Sequence, residues 1–209
     1  VTVCCATYNH ELYIEDALDG FLAQKTTFPF EIIVHDDAST DNTVDIIKKY
    51  HDEYPNIIIP YIQNENQMSK GGFKPSAYMA ERARGKYLAF CEGDDYWIDE
   101  DKLAIQVRVL EEHKDINLCV HDASVIEMSE INSGYSFPKR VSREYVIPYE
   151  EIFRVKGQFC PTSSMLVRSK MMRNLPDFFF IAPVGDFYIE ALSGRNGIYY
   201  IPRKMSVYR

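Results

Sequence analysis

The sequence predicts an α/β fold, a mostly parallel central sheet flanked by helices in a single domain. Three observations predict it. Short apolar, β-branched runs alternate with stretches whose apolar residues recur at helical spacing. Each run that reads as a strand is followed by a polar segment, the arrangement of βαβ units. The 209 residues suit one domain, and 46% hydrophobic residues supply a real core.

The elements follow in order. Thr2 to Thr7 (TVCCAT) is a β-branched, apolar first strand, broken by Tyr8-Asn9-His10. Ile14, Ala17, Leu18, Phe21 and Leu22 mark one face of a helix, with Asn9 as its expected cap. Phe30 to His35 is a second buried strand, and Asp36 to Asp41 a polar loop. The next helix carries Val44, Ile47, Tyr50 and Tyr54 on its inner face. Ile57 to Ile62 is a third strand, placed at an edge by Pro60. Residues 63–72 form a polar, Gly-containing loop. Pro75 to Arg84 is a short helix with Pro75 in its first turn. Lys86 to Cys91 is a buried strand, and Leu103, Val107 and Leu110 mark another helix. Asp99 or Glu100 lies near its N-terminus, where negative charge is favourable.

The second half is less regular. Leu118 to Ile126 reads as a strand with His121 and Asp122 inside it, and 129–143 as a surface loop. Thr162 to Val167 reads as a strand and Ser169 to Leu175 as a short helix. Phe178 to Ile181 is an apolar cluster in a loop, with core as its default place. Asp186 precedes a helix over Phe187 to Leu192. Gly197 to Ile201 and Met205 to Tyr208 are two late strands.

Composition excludes several classes. A net charge of −8 argues against a nucleic-acid binder, which needs a basic face. Cys4, Cys5, Cys91, Cys119 and Cys160 show no zinc spacing, so reduced, buried thiols of a cytosolic protein are expected. No apolar run approaches the ~20 residues of a membrane span, and no signal peptide is expected. The start at Val1 and the stop at Arg209, straight after an apolar stretch, suggest a trimmed domain.

In parallel sheets ligands bind beyond the carboxyl ends of the strands. Topology therefore gathers Thr7-Tyr8-Asn9, Asp36-Asp37-Ala38-Ser39 and Glu92-Gly93-Asp94-Asp95 at one place. Glu92, Asp94 and Asp95 form either a solvated acidic turn or a site for a hard divalent cation, which prefers oxygen ligands.

The chain resembles the bacterial family 2 glycosyltransferases, inverting enzymes of the GT-A fold with a Rossmann-like sheet. The resemblance runs through Thr7-Tyr8-Asn9, Ile33 to Thr43, Ala83 to Tyr87, Glu92 to Trp97, and Gly185-Asp186. It covers essentially the whole chain, and the order and spacing of the five motifs carry it. It implies one catalytic domain over 1–209, cut short at its C-terminus, with a nucleotide-sugar half (1–100) and an acceptor half (101–209). It implies transfer of a sugar from a nucleotide-diphosphate donor, a UDP-sugar above others, to a hydroxyl of a glycan or lipid-linked saccharide. The implied setting is bacterial surface polysaccharide synthesis in the cytoplasm, at the inner face of the membrane with a peripheral contact.

By the same resemblance Ala6, Thr7 and Tyr8 line the nucleotide, with Tyr8 against the base, and Asp37 hydrogen-bonds the pyrimidine. Glu92 stands where an Asp is usual and joins Asp94 on the donor. Asp94 and Asp95 hold the metal, Mn2+ or Mg2+, and Asp186 is the general base. Relatives often place a further His ligand after a Tyr-Arg like Tyr208-Arg209.

The chemistry needs such residues. A departing nucleoside diphosphate is stabilised by a divalent Lewis acid. An acceptor hydroxyl must lose its proton to a positioned carboxylate, and inversion puts that base on the face opposite the leaving group. Asp186 lies far from Asp94 in sequence, on a separate segment, which suits it. A helix N-terminus would lower its pKa and desolvation would raise it.

Local residues by themselves favour plainer roles. Asp186 reads as a helix cap, Asp36 as a partner for a neighbouring amide, His121 as a core histidine, and Arg82 and Arg84 as a solvated face. Tyr8 reads either as core or as a ligand contact, and Tyr96 or Trp97 as a pocket wall or a loop anchor. A nucleotidyltransferase would carry a Gly-rich, basic loop after the first strand, which Thr7 to Glu11 lacks. A catalytically degenerate nucleotide- or carbohydrate-binding module is the remaining alternative. Against it, idle acids in a cleft repel one another.

Overall fold

The apolar runs of the first half become four parallel strands. The computed structural model describes residues 1–126, 137, 141–155 and 159–209. It places β1 (Thr2–Thr7), β2 (Glu31–Asp36), β3 (Ile58–Ile62) and β4 (Tyr87–Glu92) in the order β3-β2-β1-β4. Residues of β1 alternate between two cores: Val3 and Cys5 face one, Cys4 the other. The first core takes in the inner faces of α1 (Ile14–Leu22), α2 (Thr43–Glu53) and α4 (Lys102–Glu112). The second takes in α3 (Pro75–Arg82) and later elements. Two buried faces explain why these strands read as continuous apolar runs. β3 is an edge strand, as Pro60 requires.

The rest of the sheet is mixed. β8 (Leu166–Arg168) runs antiparallel between β4 and β6 (Leu118–Val125), and β9 (Ile198–Tyr208) lies parallel to β6. The other edge of β9 pairs with β7 (Tyr145–Ile147) through 198–200 and with β5 (Tyr96–Trp97) through 206–207. β5 and β7 are too short to leave a periodic signal.

Several expectations shift. The two late strands are one, because Pro202 and Arg203 bulge out where the register jumps from His121↔Ile201 to Asp122↔Lys204. Thr162 to Ser164 is a 3-10 turn and not strand. The Ser164 hydroxyl and amide both bond the Pro161 carbonyl, the local competition that hydroxyl side chains offer. The Phe178 to Ile181 cluster is a short helix, α5 (Asp177–Ile181). It buries Phe179 and leaves Phe178 and Ile181 exposed. Asn9 does not cap α1, which begins after Tyr13. α6 (Gly185–Ser193) starts two residues earlier than expected. Of the expected 129–143 loop, 129–136 and 138–140 lie outside the described residues. All five cysteines are buried thiols.

Gly20 in α1 shows packing overriding propensity. A Cβ there would lie 2.6 Å from the Trp97 carbonyl oxygen, where α1 crosses β5. Helix propensity alone would favour alanine by ~1 kcal/mol, whereas forcing a methyl against backbone costs ~1–3 kcal/mol. Gly20→Ala is therefore expected to lower the urea midpoint; an unchanged or raised midpoint would show that α1 can slide.

Candidate active site

Parallel register sets the site. Thr7 pairs with Asp36 and Ala6 with Glu92, so three strands end at one edge of the sheet. The loops that follow are laced together. The Asn9 side chain accepts the Thr40 amide (2.8 Å), and the Asn9 amide donates to Ser39 Oγ (2.8 Å). The His10 amide donates to Thr43 Oγ1 (2.8 Å), and Glu11 Oε2 accepts the Asn42 amide (2.9 Å). Asn9 holds a left-handed φ of 55°, which Asn tolerates better than most residues. Asp36 is buried and bonds the Ser39 amide and hydroxyl, the plain role. Asp37 accepts the amides of Gln67 (2.8 Å) and Met68 (3.0 Å), so its carboxylate holds the 63–70 loop over the cleft. Tyr8 is 43% exposed at the rim, so it is not core.

Two adjoining hollows result. One, of about 320 Å³, is lined by Thr7, Tyr8, His10, Asp37 and Asp94. The other, of about 190 Å³, is lined by Lys74, Thr162 and Asp186. Ala6, Met68, Pro75 and Glu92 line both. The hollows bring together every sequence-predicted site residue except Asp95.

The acidic turn is tight. Gly93 donates to the Ala6 carbonyl (2.9 Å), and a Cβ on Gly93 would sit 2.7 Å from Thr7 Oγ1, so only glycine lets the turn approach β1. Asp94 Oδ2 lies 3.8 Å from His10 Nε2. Asp95 is buried; its Oδ1 accepts the Arg209 amide (2.9 Å), and its Oδ2 has no hydrogen-bond partner among the described residues. Burial pushes its pKa up to about 7. Arg209 also donates to the Asp94 carbonyl (2.8 Å) and Asp16 (2.6 Å), with its guanidinium over Tyr96. Glu92 is pushed well up, by burial first and then by Asp186, Asp95 and Asp94.

Asp186 stands in the first turn of α6 and is not its cap, which is Val184. Its Oδ2 accepts Thr162 Oγ1 (3.1 Å). Burial raises its pKa, while Thr162 and Lys74 pull it down. Desolvation thus outweighs Thr162 and Lys74. Lys74 Nζ donates to the Ala182 carbonyl (2.5 Å) across the mouth.

Lys74, Thr162 and Arg209's clamp on the acidic turn were not legible as site features. Lys74 sits in a loop with no periodicity, and the partners of Thr162 are remote in sequence. Trp97 is an anchor: its indole donates to the Ser163 carbonyl (3.1 Å) and packs on Phe21. Tyr96 lies under Arg209, so neither lines the cleft. Arg84 pairs with the buried Glu31, Arg82 stacks on Tyr78, and His121 is a core histidine held neutral by burial.

Among the described residues no three His, Cys, Asp or Glu side chains form a ready cage for a metal. The donor set nonetheless suits a hard cation. Glu92 and Asp94 line the same hollow at the turn, and Mg2+-like ions take one or two carboxylates and complete their shell with substrate phosphates.

Residues 2–175 match the model of Glycosyl transferase family 2. An uncharacterized Mycobacterium tuberculosis protein is 35% identical over 211 residues, covering 100% of this chain and 58% of its own length. The poly(ribitol-phosphate) β-N-acetylglucosaminyltransferase TarS of Staphylococcus aureus is 31% identical over 146 residues, 68% of this chain and 23% of TarS. The S. aureus TarS structure with UDP superposes with a TM-score of 0.74 at 20% identity, covering 99% of this chain and 59% of that one. A Pyrobaculum calidifontis mannosyltransferase with GDP-Man and Mn2+ gives 0.67 at 18%, covering 99% and 56%. The chain belongs to glycosyl transferase family 2, and its fold is GT-A. It spans a little over half the length of the mycobacterial relative.

Glu190, behind Asp186, offers a test of the site's electrostatics. It is fully buried, accepts the Cys160 amide (3.0 Å), and burial pushes its pKa up to about 7. A carboxyl raised in the folded state carries no penalty below its unfolded pKa of ~4.3 and the full penalty above about 7. Glu190→Gln should therefore gain stability relative to wild type between pH 5 and pH 8, by ~2–3 kcal/mol. Urea unfolding across that range checks it; a pH-independent difference would mean Glu190 is already solvated.

Proposed function

We propose that this domain transfers a sugar from a nucleotide-diphosphate sugar, a UDP-sugar above others, to an acceptor hydroxyl with inversion. The acceptor is a glycan or lipid-linked saccharide of a bacterial surface polysaccharide. One observation carries the reading: a half-buried carboxylate on α6, Asp186, shares a cleft with the acidic turn after β4, while belonging to a separate element. TarS, which has been captured with UDP and with UDP-GlcNAc, supports it.

In this reading the larger hollow takes the nucleoside, with Ala6 and Thr7 along it, Tyr8 exposed to stack on the base, and Asp37 beside it. Asp94, with Glu92 beside it, would hold Mn2+ or Mg2+ on the diphosphate, while Asp95 fixes the turn through Arg209. Such a cation supplies positive charge to the departing oxygen. Asp186 accepts the acceptor's proton as the acceptor oxygen bonds the anomeric carbon and the bond from that carbon to the phosphate oxygen breaks. Its raised pKa makes it a better base than an exposed carboxylate.

Phe178, Ile181 and Val184, all about half or more exposed, lead along the chain into Asp186. In this reading they meet the apolar part of a lipid-linked acceptor. No helix among the described residues is long and apolar enough to cross a membrane. The full-length protein is expected to float with anionic vesicles, and to lose that with Ile181→Ser; no flotation by the wild type would remove the membrane contact.

Calorimetric titration with UDP should show binding that strengthens with Mn2+ and weakens in Asp94→Asn. Asp186→Asn should bind UDP normally and lose transfer by ~10²–10⁴-fold. Wild-type transfer by that variant would sink the mechanism.

A further inference from the structure

The base and the donor turn lie on separate segments of the chain, yet a single buried turn touches both. Thr162, Ser163 and Ser164 are almost fully buried. Thr162 Oγ1 donates to Asp186 Oδ2 (3.1 Å). Its neighbour Ser163 lies beside the Asp95 carboxylate and lowers its pKa. Ser163 Oγ also meets Ser206 Oγ (3.1 Å) on β9, close to where that strand delivers Arg209. The Ser163 carbonyl accepts the Trp97 indole (3.1 Å), which follows the acidic turn, and the Ser164 carbonyl accepts Gln106 Nε2 (2.8 Å) from α4. The turn is thus bonded on every side to elements that carry or support the site.

We propose that the 162–164 turn is the positioning element that holds the base in register with the donor turn, and that Thr162 is the residue that orients Asp186. The proposal rests on Asp186 acting as base. A carboxylate free to rotate about its χ angles would present its lone pairs to the acceptor only part of the time. The Thr162 hydroxyl occupies Oδ2, so one oxygen is fixed and Oδ1 is left for the acceptor proton. The hydroxyl also stabilises the ionised form, the form that can accept a proton. Of the other charged groups around it, Lys74, ahead of α3, lowers the pKa of Asp186, and Asp186 in turn raises those of Glu92 at the end of β4 and Glu190 one turn further along α6. Thr162→Val leaves all three in place and removes only the donor.

The test compares Thr162→Val, Thr162→Ser and Asp186→Asn in the full-length protein by two readouts. The first is the titration of the Asp186 carboxyl carbon by NMR, assigned by its absence in Asp186→Asn, which needs no substrate. Thr162→Val should move it up by about one pH unit, and Thr162→Ser should leave it at the wild-type value. The second is Mn2+-dependent release of UDP from a panel of UDP-sugars with water as acceptor. Thr162→Val should slow it roughly tenfold, with its acid limb moved upward and UDP affinity unchanged, and Thr162→Ser should restore it. Wild-type titration and turnover in Thr162→Val would overturn the inference. So would slowed turnover without movement of the titration, which is what a merely structural role gives. Normal release by Asp186→Asn, or none by wild type, would instead defeat the reading on which it rests, and the carboxyl titration would still decide the hydrogen bond.

Discussion

Like charges at the end of a sheet are the constraint on which the rest of this structure depends. Asp186, Asp95 and Asp94 all raise the cost of ionising Glu92, while Lys74 relieves Asp186 and Arg209 relieves Asp95. Such a cluster would push its own turn open unless the backbone around it were over-determined. The turn is accordingly fixed from three sides. Gly93 lies against Thr7, Asp95 is bound to the Arg209 amide, and Arg209 itself is held by Asp16 and the Asp94 carbonyl. The field that makes the cluster unfavourable by itself is what would favour a divalent cation and the phosphates it carries.

Beneath the turn the interior is more polar than the sequence suggests. Lys102 is fully buried, with its ammonium 4.0 Å from the Trp97 ring centre and 2.8 Å from Gln106 Oε1. Burial lowers its pKa to about 7. Gln106 in turn donates to the Cys119 and Ser164 carbonyls. Lys102, Trp97, Ser163 and Asp95 therefore form a continuous column from α4 to the acidic turn. Networks of this kind specify a single arrangement, because leaving any one member unpaired in the interior costs more than the bonds gain.

Local pattern carried the first half. The β-branched runs, the helical spacing of Ile14, Ala17, Leu18 and Phe21, and the polar residues after each strand were legible because each is set by neighbours within a few positions. The second half was read less well for equally physical reasons. β5 and β7 are two and three residues long, below any period. The strand expected over 162–167 begins only at Leu166, because hydroxyls bonded their own backbone. The single strand β9 looked like two because a bulge hides Pro202.

The division at the site follows the same logic. Sequence order determined which chemistries were available: carboxylates at the ends of parallel strands, an exposed aromatic after β1, and an aspartate opening a late helix. Only tertiary structure decided what they touch. It sent Asp95 inward to hold Arg209, assigned Asp37 to the loop above the cleft, left Tyr8 at the rim, and took Trp97 into the core. It also buried Asp186 enough to raise its pKa and placed Thr162 against it. Those outcomes depend on contacts between residues 24 to 114 positions apart, and the energy of such a contact is set by burial and distance, which no local pattern encodes.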